Sequence, residues 1–579
     1  MTGSYLLHNK LHYNGLMTDW GLNSSFHLAP PQSTMKHFFL SAAFVATSFV
    51  AAPSIAKAAV SASTSTSHQN TVTIAVFSIN DFHAGLLPDR SQGTPGAAYV
   101  VQTLDSLKKV YPYNVTVSAG DNFGGSFFYN ATRTHSLMPQ MFKDMGVNIS
   151  VLGNHEYDEG QESLARKWND VDCKPKSWDI TYIGANVRNA AGQLPEYVQP
   201  WAVVPVKISP TKTLNVSFIG LLTSNTPWQA AAKRLKGLSF DGNYPAVLDS
   251  ISHLPGYEAV HNANVRLLLC HIGAEMHGQQ VLWSDRDEEN LKKIDSPDVQ
   301  AVLSGHSHTR VIGMSDSQKS VPIVQGLWHG RCVSMLKCEV DTLSGQLVSI
   351  TPELVRVNPD AKLDSKAARL QAQVEEQYHT TLFRGIPLSQ KLTYASAAVE
   401  HDRTRSKRQT KVGSLVCQSF AAAYRKAAHL DDNALVVGVS HFGSIRAGFP
   451  QGDITILSVG EALPFANPLR VYRYTGKQLL DLVEHGYNVC KLGHLQTSGV
   501  NPILDAKGHV KALSLTLPNG KTVPIRANTQ LVIVADEFMT TGGDGYLPSQ
   551  FPAAAEIKVN IPTSTDAFIA YLRTLPNID

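Results

Sequence analysis

Five short polar segments of this 579-residue chain carry the side-chain types that bind divalent metal ions. Each segment directly follows a short apolar run. The segments are Asp81-Phe82-His83, Gly120-Asp121-Asn122, Gly153-Asn154-His155-Glu156, Cys270-His271 and Gly305-His306-Ser307-His308. A single histidine after a strand is more often a hydrogen-bonded loop residue than a metal ligand. Five such endings within one region are improbable as independent accidents, so we interpret them as one site.

The ligand types indicate the chemistry of that site. Mixed carboxylate, amide and imidazole ligands suit a divalent transition metal such as zinc or manganese rather than calcium. Two such ions roughly 3.5–4 Å apart can clamp a phosphoryl group and activate a water molecule at neutral pH. The pattern therefore predicts a hydrolase with two divalent metal ions that acts on phosphate esters.

The elements that must position these residues are strands alternating with helices. Six apolar runs read as strands, namely Val72 to Ile79, Val115 to Ser118, Ile149 to Leu152, Val216 to Leu222, Val265 to Cys270 and Ala301 to Leu303. Helical patterns over Ala97–Val110 and Leu137–Met145 separate the first three runs. This alternation predicts an α/β domain, and ligands of such sheets bind at the carboxyl ends of the strands, where the polar segments fall.

The pattern changes after the last of these runs. Residues 360–380 are charged and alanine-rich, which predicts a linking helix. Gly413 to Ala428 reads as another helix, followed by short strands and turns, which predicts a second α/β domain. A chain of this length is too long for one hydrophobic core, which agrees with two domains.

Composition and the N-terminus narrow the functional class. The formal net charge is +3, too small to indicate a nucleic-acid polymer as partner, and nothing in the pattern defines an oligomeric state. Residues 35–58 read as a signal peptide, with Lys36, an apolar run and Ala56-Lys57-Ala58 as the cleavage pattern. Residues 1–34 read as an upstream extension. No other apolar run reaches the ~18 residues of a membrane span, so we expect an exported periplasmic, secreted or cell-surface protein with no transmembrane segment in the mature chain.

Six cysteines form an even set for an oxidising compartment: Cys173, Cys270, Cys332, Cys338, Cys417 and Cys490. One to three disulfides are expected, with Cys332–Cys338 and Cys417–Cys490 as the candidate pairs. Cys270 lies within an apolar run and reads equally well as an inert core thiol.

In this order, the five polar segments resemble those of the calcineurin-like metallophosphoesterases. The resemblance implies a four-layer α/β/β/α dimetal domain over residues 71–355. It also implies that one metal is held by Asp81, His83, Asp121 and His308, and the other by Asp121, Asn154, His271 and His306. By the same resemblance His155 is the catalytic acid and Asp158 orients it, although a solvated carboxylate at a helix start is the ordinary alternative for Asp158.

The region from residue 385 to 579 is similar to the C-terminal nucleoside-binding domain of the periplasmic and surface 5'-nucleotidases. The similarity rests on four motifs: Gly413-Ser414-Leu415, Gly443-Ser444-Ile445-Arg446, Leu463-Pro464-Phe465-Ala466-Asn467 and the segment from Phe538 to Tyr546. It implies that Phe465 and Phe538 stack on a nucleobase, that Asp544 binds the ribose and that Arg446 binds the phosphate. Arg405 and Arg408 are further candidates for the phosphate, with a solvated basic loop as the alternative.

The sequence departs from this family at the residues before Ile445. Many 5'-nucleotidases have an asparagine and three glycines there, whereas this chain has Ser440-His441-Phe442-Gly443-Ser444. His441 therefore takes the place of an asparagine that touches the base. Gln409-Thr410-Lys411 likewise differs from the family's acidic and asparagine-containing segment.

The activity that these features predict is the removal of phosphate from nucleoside 5'-monophosphates such as AMP. The same residues are compatible with a 2',3'-cyclic-nucleotide phosphodiesterase with 3'-nucleotidase activity, or with a hydrolase of nucleotide sugars and NAD. A surface binding protein that has lost catalysis is the alternative of another class, against which the intact motifs speak.

Overall fold

The computed structural model describes residues 70–89, 93–132, 137–161, 180–284, 288–401, 409–490 and 494–578. Residues 68–579 form one compact unit. The predicted upstream extension and signal peptide, together with Cys173, Arg405 and Arg408, lie outside the described residues. No helix among the described residues is both long and apolar enough to cross a membrane.

Sixteen strands and seven helices are described before the linking helix. The strands are β1 (Thr71–Ile79), β2 (Asn114–Ser118), β3 (Val147–Val151), β4 (Thr181–Ile183), β5 (Val187–Arg188), β6 (Trp201–Lys207), β7 (Thr213–Leu222), β8 (Ser239–Phe240), β9 (Val265–His271), β10 (Ala274–His277), β11 (Gln280–Trp283), β12 (Ala301–Leu303), β13 (Arg310–Met314), β14 (Pro322–Gly326), β15 (Cys332–Asp341) and β16 (Leu347–Arg356). The helices are α1 (Ala97–Val110), α2 (Phe127–Thr132), α3 (Met138–Met145), α4 (Thr226–Gln229), α5 (Tyr244–Ser252), α6 (Glu258–His261) and α7 (Glu288–Lys292).

Two six-stranded sheets form the centre of this N-terminal region. Their strand orders are β16-β15-β1-β2-β3-β4 and β13-β14-β12-β9-β7-β6. One core cluster contains apolar side chains from both sheets, such as Val76, Val117, Phe218 and Leu267, so the sheets pack face to face. Further clusters join the outer faces to helices, among them α1 and α3 on one side and α5 on the other. The predicted α/β/β/α layering is confirmed.

The predicted strands match the structure within a few residues because each is an apolar run bounded by polar residues. Strands β1, β2 and β3 pair in parallel, as do β7, β9 and β12. Their carboxyl ends therefore lie at the same edge of each sheet, which brings the polar segments that follow them close together.

The linking helix α8 (Ser365–Thr380) begins five residues after the start of the segment predicted for it. Asp364 is its N-cap, since its carboxylate accepts hydrogen bonds from the backbone N–H groups of Lys366 and Ala367, each at 2.9 Å. Lys366 Nζ donates to Asp105 Oδ2 of α1 at 2.7 Å, which attaches the linking helix to the N-terminal region.

The C-terminal region is a second α/β unit. Its strands are β17 (Leu382–Phe383), β18 (Ile386–Pro387), β19 (Lys391–Ala395), β20 (Val436–His441), β21 (Gly452–Thr455), β22 (Leu469–Thr475), β23 (Leu495–Thr497), β24 (Val500–Leu504), β25 (Val510–Thr516), β26 (Thr522–Ile525) and β27 (Gln530–Asp536). Its helices are α9 (Lys411–Ala427), α10 (Ile456–Ala462), α11 (Gly476–Asn488), α12 (Glu537–Thr540) and α13 (Ser564–Leu572).

The main sheet of this region has the strand order β22-β27-β20-β23. Helix α9 lies against it so closely that a Cβ atom on Gly438 of β20 would be 1.8 Å from the carbonyl oxygen of Cys417. Threonine N-caps begin helices α9, α10, α11 and α13, which explains why each starts where the sequence turns from strand-like to helical.

Both predicted disulfide pairs are wrong. Cys332 and Cys338 are free thiols on the same strand, β15, and six residues of extended chain separate them by about 20 Å, far beyond disulfide reach. Cys417 is a free, buried thiol of helix α9. Cys270, a residue of β9, is fully buried in the core.

Candidate functional site

The carboxylates of Asp81 and Asp121 lie at the centre of the site. Asp81 follows β1 and Asp121 follows β2, and both side chains are buried. His271 Nε2 is 3.1 Å from Asp121 Oδ2 and 3.9 Å from Asp81 Oδ1, so one imidazole from the second sheet faces both carboxylates of the first. The structure thus joins the two sheets at a pair of buried anions.

The other predicted ligands surround this pair. His83 Nε2 lies 3.8 Å from Asp121 Oδ2 and 3.0 Å from His308 Nε2. His308 Nε2 in turn lies 3.2 Å from Asp81 Oδ1. The ligand atoms lie within 4.8 Å of one another in each of three trios: Asp81–His83–His308, Asp121–His271–His306 and His83–Asp121–His155. The first two trios fall within the two ligand sets that the resemblance implies, and the third adds His155 next to Asp121.

Asn154 is the remaining residue of the second predicted set and follows strand β3. Its Oδ1 atom is buried and has no hydrogen-bond partner among the described residues. A buried amide oxygen without a partner is costly, and a hard or borderline cation is a suitable occupant for it. This oxygen, together with the converging carboxylate and imidazole atoms, is the donor set that a pair of divalent ions requires.

The pKa values of the clustered residues also indicate a site that favours positive charge. Burial opposes the ionised form of Asp121, but the neighbouring His271 and His155 outweigh it and lower the pKa of Asp121 well below its usual range. Burial also opposes protonation of His271, yet the charge of Asp121 raises the pKa of His271 to about 10. The carboxylates therefore demand positive charge, which protons supply here and which bound cations would supply with release of those protons.

Glycines allow the strand-end loops to approach one another. A Cβ atom on Gly153 would lie 2.1 Å from Asp121 Oδ1, and one on Gly305 would lie 2.9 Å from the carbonyl oxygen of Ala119. The backbone at the ligands is unusual as well, because Asp81, Asp121 and His308 have φ values of 48°, 51° and 58°. Left-handed backbone at non-glycine residues costs free energy and concentrates at functional sites.

His155 and Asp158 form the predicted pair. His155 Nδ1 lies 2.9 Å from Asp158 Oδ2, which leaves Nε2 for other contacts. Burial disfavours the protonated ring, but the charge of Asp158 outweighs it and raises the pKa of His155. The His155 and His83 ring centroids are 5.1 Å apart, so the pair borders the metal-ligand cluster.

Glu156 is a site residue that the sequence interpretation did not assign, although it stands within a motif that was recognised. Its buried carboxylate accepts hydrogen bonds from the backbone N–H groups of Asp121, Asn122 and Gly153 at 2.9, 2.7 and 2.6 Å. It therefore fixes the loops after β2 and β3 relative to each other.

Gln229 was also missed, and no pattern in the sequence marks it. It ends helix α4, which follows β7, and its side-chain nitrogen is 3.0 Å from His306 Nε2. His329 is a third unassigned neighbour, with its ring centroid 6.0 Å from that of His83 and with a φ of 53°.

The C-terminal region contributes side chains that face this cluster. The Phe465 ring stacks on the His155 imidazole, with a centroid separation of 5.8 Å and an interplanar angle of 7°. Arg446 reaches Gly125, where an added Cβ would be 3.7 Å from its Nη2 atom. Arg446 lies within electrostatic reach of Asp121 and Asp158 of the first region and of Asp544 of the second. The site therefore lies between the two regions.

The remaining predicted residues lie close to one another and near Arg446. His441 Nδ1 is 2.5 Å from Asp544 Oδ2, and the Phe538 ring lies 5.3 Å from the His441 ring. Phe538 also covers Gly543, because a Cβ there would be 2.2 Å from the ring. Asp544, with a φ of 52°, lies in the glycine-rich turn after helix α12. All the predicted substrate residues within the described part of the chain therefore lie at or near the face of the C-terminal region that is turned toward the metal-ligand cluster.

Comparison with known proteins adds independent observations. A calcineurin-like phosphoesterase family model matches residues 74–310, and a model of the 5'-nucleotidase C-terminal domain matches residues 392–553. The cell wall protein Lmo0130 of Listeria monocytogenes is 25% identical over 87% of this chain and 67% of its own length. The trifunctional nucleotide phosphoesterase YfkN of Bacillus subtilis is 24% identical over 82% of this chain, which spans only 32% of that protein.

Among solved structures, the 5'-nucleotidase precursor from Thermus thermophilus has a similar fold. The TM-score is 0.69 at 23% identity, covering 88% of this chain and 97% of that one. The similarity extends over both α/β regions.

Proposed function

Because the chain belongs to the two-domain 5'-nucleotidase family, in which a calcineurin-like phosphoesterase domain precedes a 5'-nucleotidase C-terminal domain, we propose that it hydrolyses nucleoside 5'-monophosphates. The observation that carries the proposal is the convergence of two groups of side chains. Buried ligands follow strands of both N-terminal sheets, and Phe465 and Arg446 of the C-terminal region face them directly. A nucleotide whose phosphate lies at the buried N-terminal ligands would place its nucleoside next to the C-terminal side chains.

The donor set fits two divalent ions, zinc or manganese. Asp81, His83, Asp121 and His308 would hold one ion, and Asp121, Asn154, His271 and His306 the other. When bound, such ions supply Lewis acidity toward the phosphoryl group and lower the pKa of a water molecule. The protein's own part is to fix the ligands, and Glu156 does so through three backbone hydrogen bonds.

His155 is the proton donor in this proposal. Asp158 accepts the Nδ1 hydrogen bond and favours the protonated ring, so Nε2–H is available for the oxygen that leaves with the nucleoside. Arg446 offers a planar guanidinium to the phosphate. Phe465 and Phe538 offer aromatic faces to the base, and Asp544 offers a carboxylate to the ribose hydroxyls.

The cellular location belongs to the proposal too. We expect an exported protein, because residues 35–58 have the pattern of a signal peptide and because a relative is named a cell wall protein. N-terminal sequencing of protein recovered from the producing cells should begin near Ala59. A start at Met1 or Met35 would contradict export by cleavage.

Phosphate release distinguishes the candidate activities. Purified protein loaded with manganese or zinc is assayed on AMP alone, and on a 2',3'-cyclic nucleotide and a nucleotide sugar, each with added monoesterase. We expect preference for AMP, loss of activity on chelation, and no activity in an Asp121→Asn variant. Preference for the cyclic or diphosphate compounds would retain the metal-site proposal and reject the 5'-monophosphate as substrate.

A further inference from the structure

His441 is buried and lies between two carboxylates. Its Nδ1 atom is 2.5 Å from Asp544 Oδ2, and its Nε2 atom is 3.9 Å from Asp536 Oδ2. Only 2% of His441 and 1% of Asp536 is exposed to solvent. Two anions at opposite nitrogens favour the protonated imidazole, in which both nitrogens carry a hydrogen.

Within the part of the chain that the structure describes, only one of those two N–H groups has a hydrogen-bond acceptor. Nδ1–H donates to Asp544, whereas Nε2 has no hydrogen-bond partner among the described residues. Asp536 does not accept from it at 3.9 Å and instead accepts from the backbone N–H of Met539, as the N-cap of helix α12. Buried donors without acceptors are rare in native proteins, which indicates that a ligand atom completes this one.

An aromatic ring and a carboxylate lie next to the imidazole of His441. The Phe538 ring lies 5.3 Å from the imidazole. Asp536 also lines a tight cleft together with Phe465, Ser444 and Asn467. The sugar-binding candidate Asp544 is on the Nδ1 side, so the Nε2 side is left for the base.

We propose that His441 is a specificity-determining residue: its Nε2–H donates a hydrogen bond to an acceptor atom of the nucleobase, while its Nδ1–H holds Asp544 in place for the ribose hydroxyls. The proposal rests on the proposed function, because it assigns a nucleoside to this pocket. It gives the chain a charged donor where the asparagine of related sequences offers a neutral one. Ring nitrogens and carbonyl oxygens of bases are the matching acceptors.

The charge makes nucleoside binding dependent on pH. Burial and the positive charge of Arg446 oppose protonation of His441, but Asp544 and Asp536 outweigh them and raise the pKa of His441. These three charged groups, together with the uncharged Phe538 ring, face the imidazole. The Nε2–H bond is therefore present at pH below that raised pKa and is lost as the pH rises through it.

Three variants test the assignment on the full-length protein. His441→Leu removes the donor, and His441→Asn substitutes a neutral amide. His509→Asn is the matched control, since His509 also pairs with a carboxylate, Glu484 at 2.7 Å, but is exposed to solvent. KM and kcat are measured from pH 5 to 9 on AMP, IMP and p-nitrophenyl phosphate, a substrate without a nucleoside.

We expect His441→Leu to raise KM for AMP and IMP about tenfold or more, and to lower kcat/KM less for p-nitrophenyl phosphate than for either nucleotide. KM for the nucleotides should rise with pH in the wild type and in His509→Asn but not in His441→Asn. Equal losses on all three substrates, or the same pH dependence in wild type and His441→Asn, would overturn the proposal.

Direct binding separates this proposal from the proposed function. Calorimetric titration with adenosine and inosine needs no turnover. If the wild type binds a nucleoside and His441→Leu binds it at least tenfold more weakly, the assignment of His441 stands even when AMP is not the preferred substrate. If both proteins bind equally, or neither binds, the assignment is overturned whatever the phosphatase assays show.

Discussion

Strain and buried polarity coincide at single residues of the site. Asp81, His83, Asp121 and His308 all have left-handed backbone, with φ between 44° and 58°, and all follow apolar strands that are firmly packed. The packed strands fix the path of the backbone on either side of these residues. Each predicted ligand is therefore held in a backbone conformation that it would rarely adopt alone. Fixed ligands are what a metal site needs, because its geometry tolerates little displacement.

A single substitution tests whether the Asp158 carboxylate supports His155 in catalysis. Asp158→Asn leaves the ligand cluster intact but removes the anion 2.9 Å from His155 Nδ1. The variant should bind as many metal ions as wild type, measured by plasma mass spectrometry, while kcat falls about 10- to 100-fold. The loss should increase with pH, because Asp158 raises the pKa of His155 and its removal lets the ring lose its proton earlier.

Asp249→Asn is the charge-matched control for that experiment, since Asp249 is exposed on helix α5. It should behave as wild type. Wild-type turnover in Asp158→Asn at every pH would show that the carboxylate plays no part in catalysis.

Helices α2 and α10 connect the two regions next to the site. Glu461 of α10 accepts a hydrogen bond from the backbone N–H of Phe128 at 2.9 Å, at the start of α2. The Phe127 ring lies directly over Gly460, where a Cβ would be 2.0 Å from it. The loop before α2 leads back to Asp121, so this contact links the position of the C-terminal region to the ligand cluster.

The Glu461 contact predicts a pH dependence of stability. Burial raises the pKa of Glu461 from its ordinary 4.5 to about 7. The folded protein therefore holds this proton more tightly than the unfolded chain, and the resulting stabilisation is present below about pH 4.5 and is lost as the pH rises toward 7. In Glu461→Gln the side chain stays neutral. The melting temperature of wild type relative to that variant should therefore fall between pH 5 and pH 8.

Glu484→Gln is a control of opposite sign. The backbone N–H of Val510, followed by His509, lowers the pKa of Glu484, so its contribution is lost as the pH falls. A melting-temperature difference between wild type and Glu461→Gln that does not change with pH would contradict the assignment for Glu461.

For the molecule as a whole, the candidate site joins two sheets and two α/β regions. The backbone N–H of His306 donates to both oxygens of the Asp81 carboxylate, each at 3.0 Å, although the two residues are 225 positions apart in the chain. Lys233 and Glu537 form a further ion pair between the regions at 3.2 Å. Ligands that bind at this junction should therefore stabilise the fold as well as enable chemistry.

Chelation tests this coupling. Metal at a free concentration 100 times its Kd stabilises the folded protein by about 2.7 kcal/mol per site, so removal of metal with EDTA should lower the melting temperature of the N-terminal region by several degrees. Manganese or zinc should restore it. Asp121→Asn should show little response to either treatment, and a response equal to that of wild type would place the stabilising ions elsewhere.

The sequence by itself determined the features that depend on local pattern. Apolar runs define the strands, the charged, alanine-rich segment defines the linking helix, and the polar strand endings define a group of predicted ligands, because strand ends of parallel sheets meet at one edge. The boundaries of the linking helix differ from prediction only where an N-cap residue decides them.

Tertiary structure alone decided which distant groups touch. Cys332 and Cys338 are close in sequence but lie far apart along one strand, so spacing misled the disulfide prediction. No sequence pattern predicts the contact of Gln229 with His306 or that of Phe465 with His155. The position of His441 between two carboxylates is equally invisible in the sequence. Their contacts depend on how sheets and domains pack, and that packing is the sum of many weak apolar contacts rather than a property of any short segment.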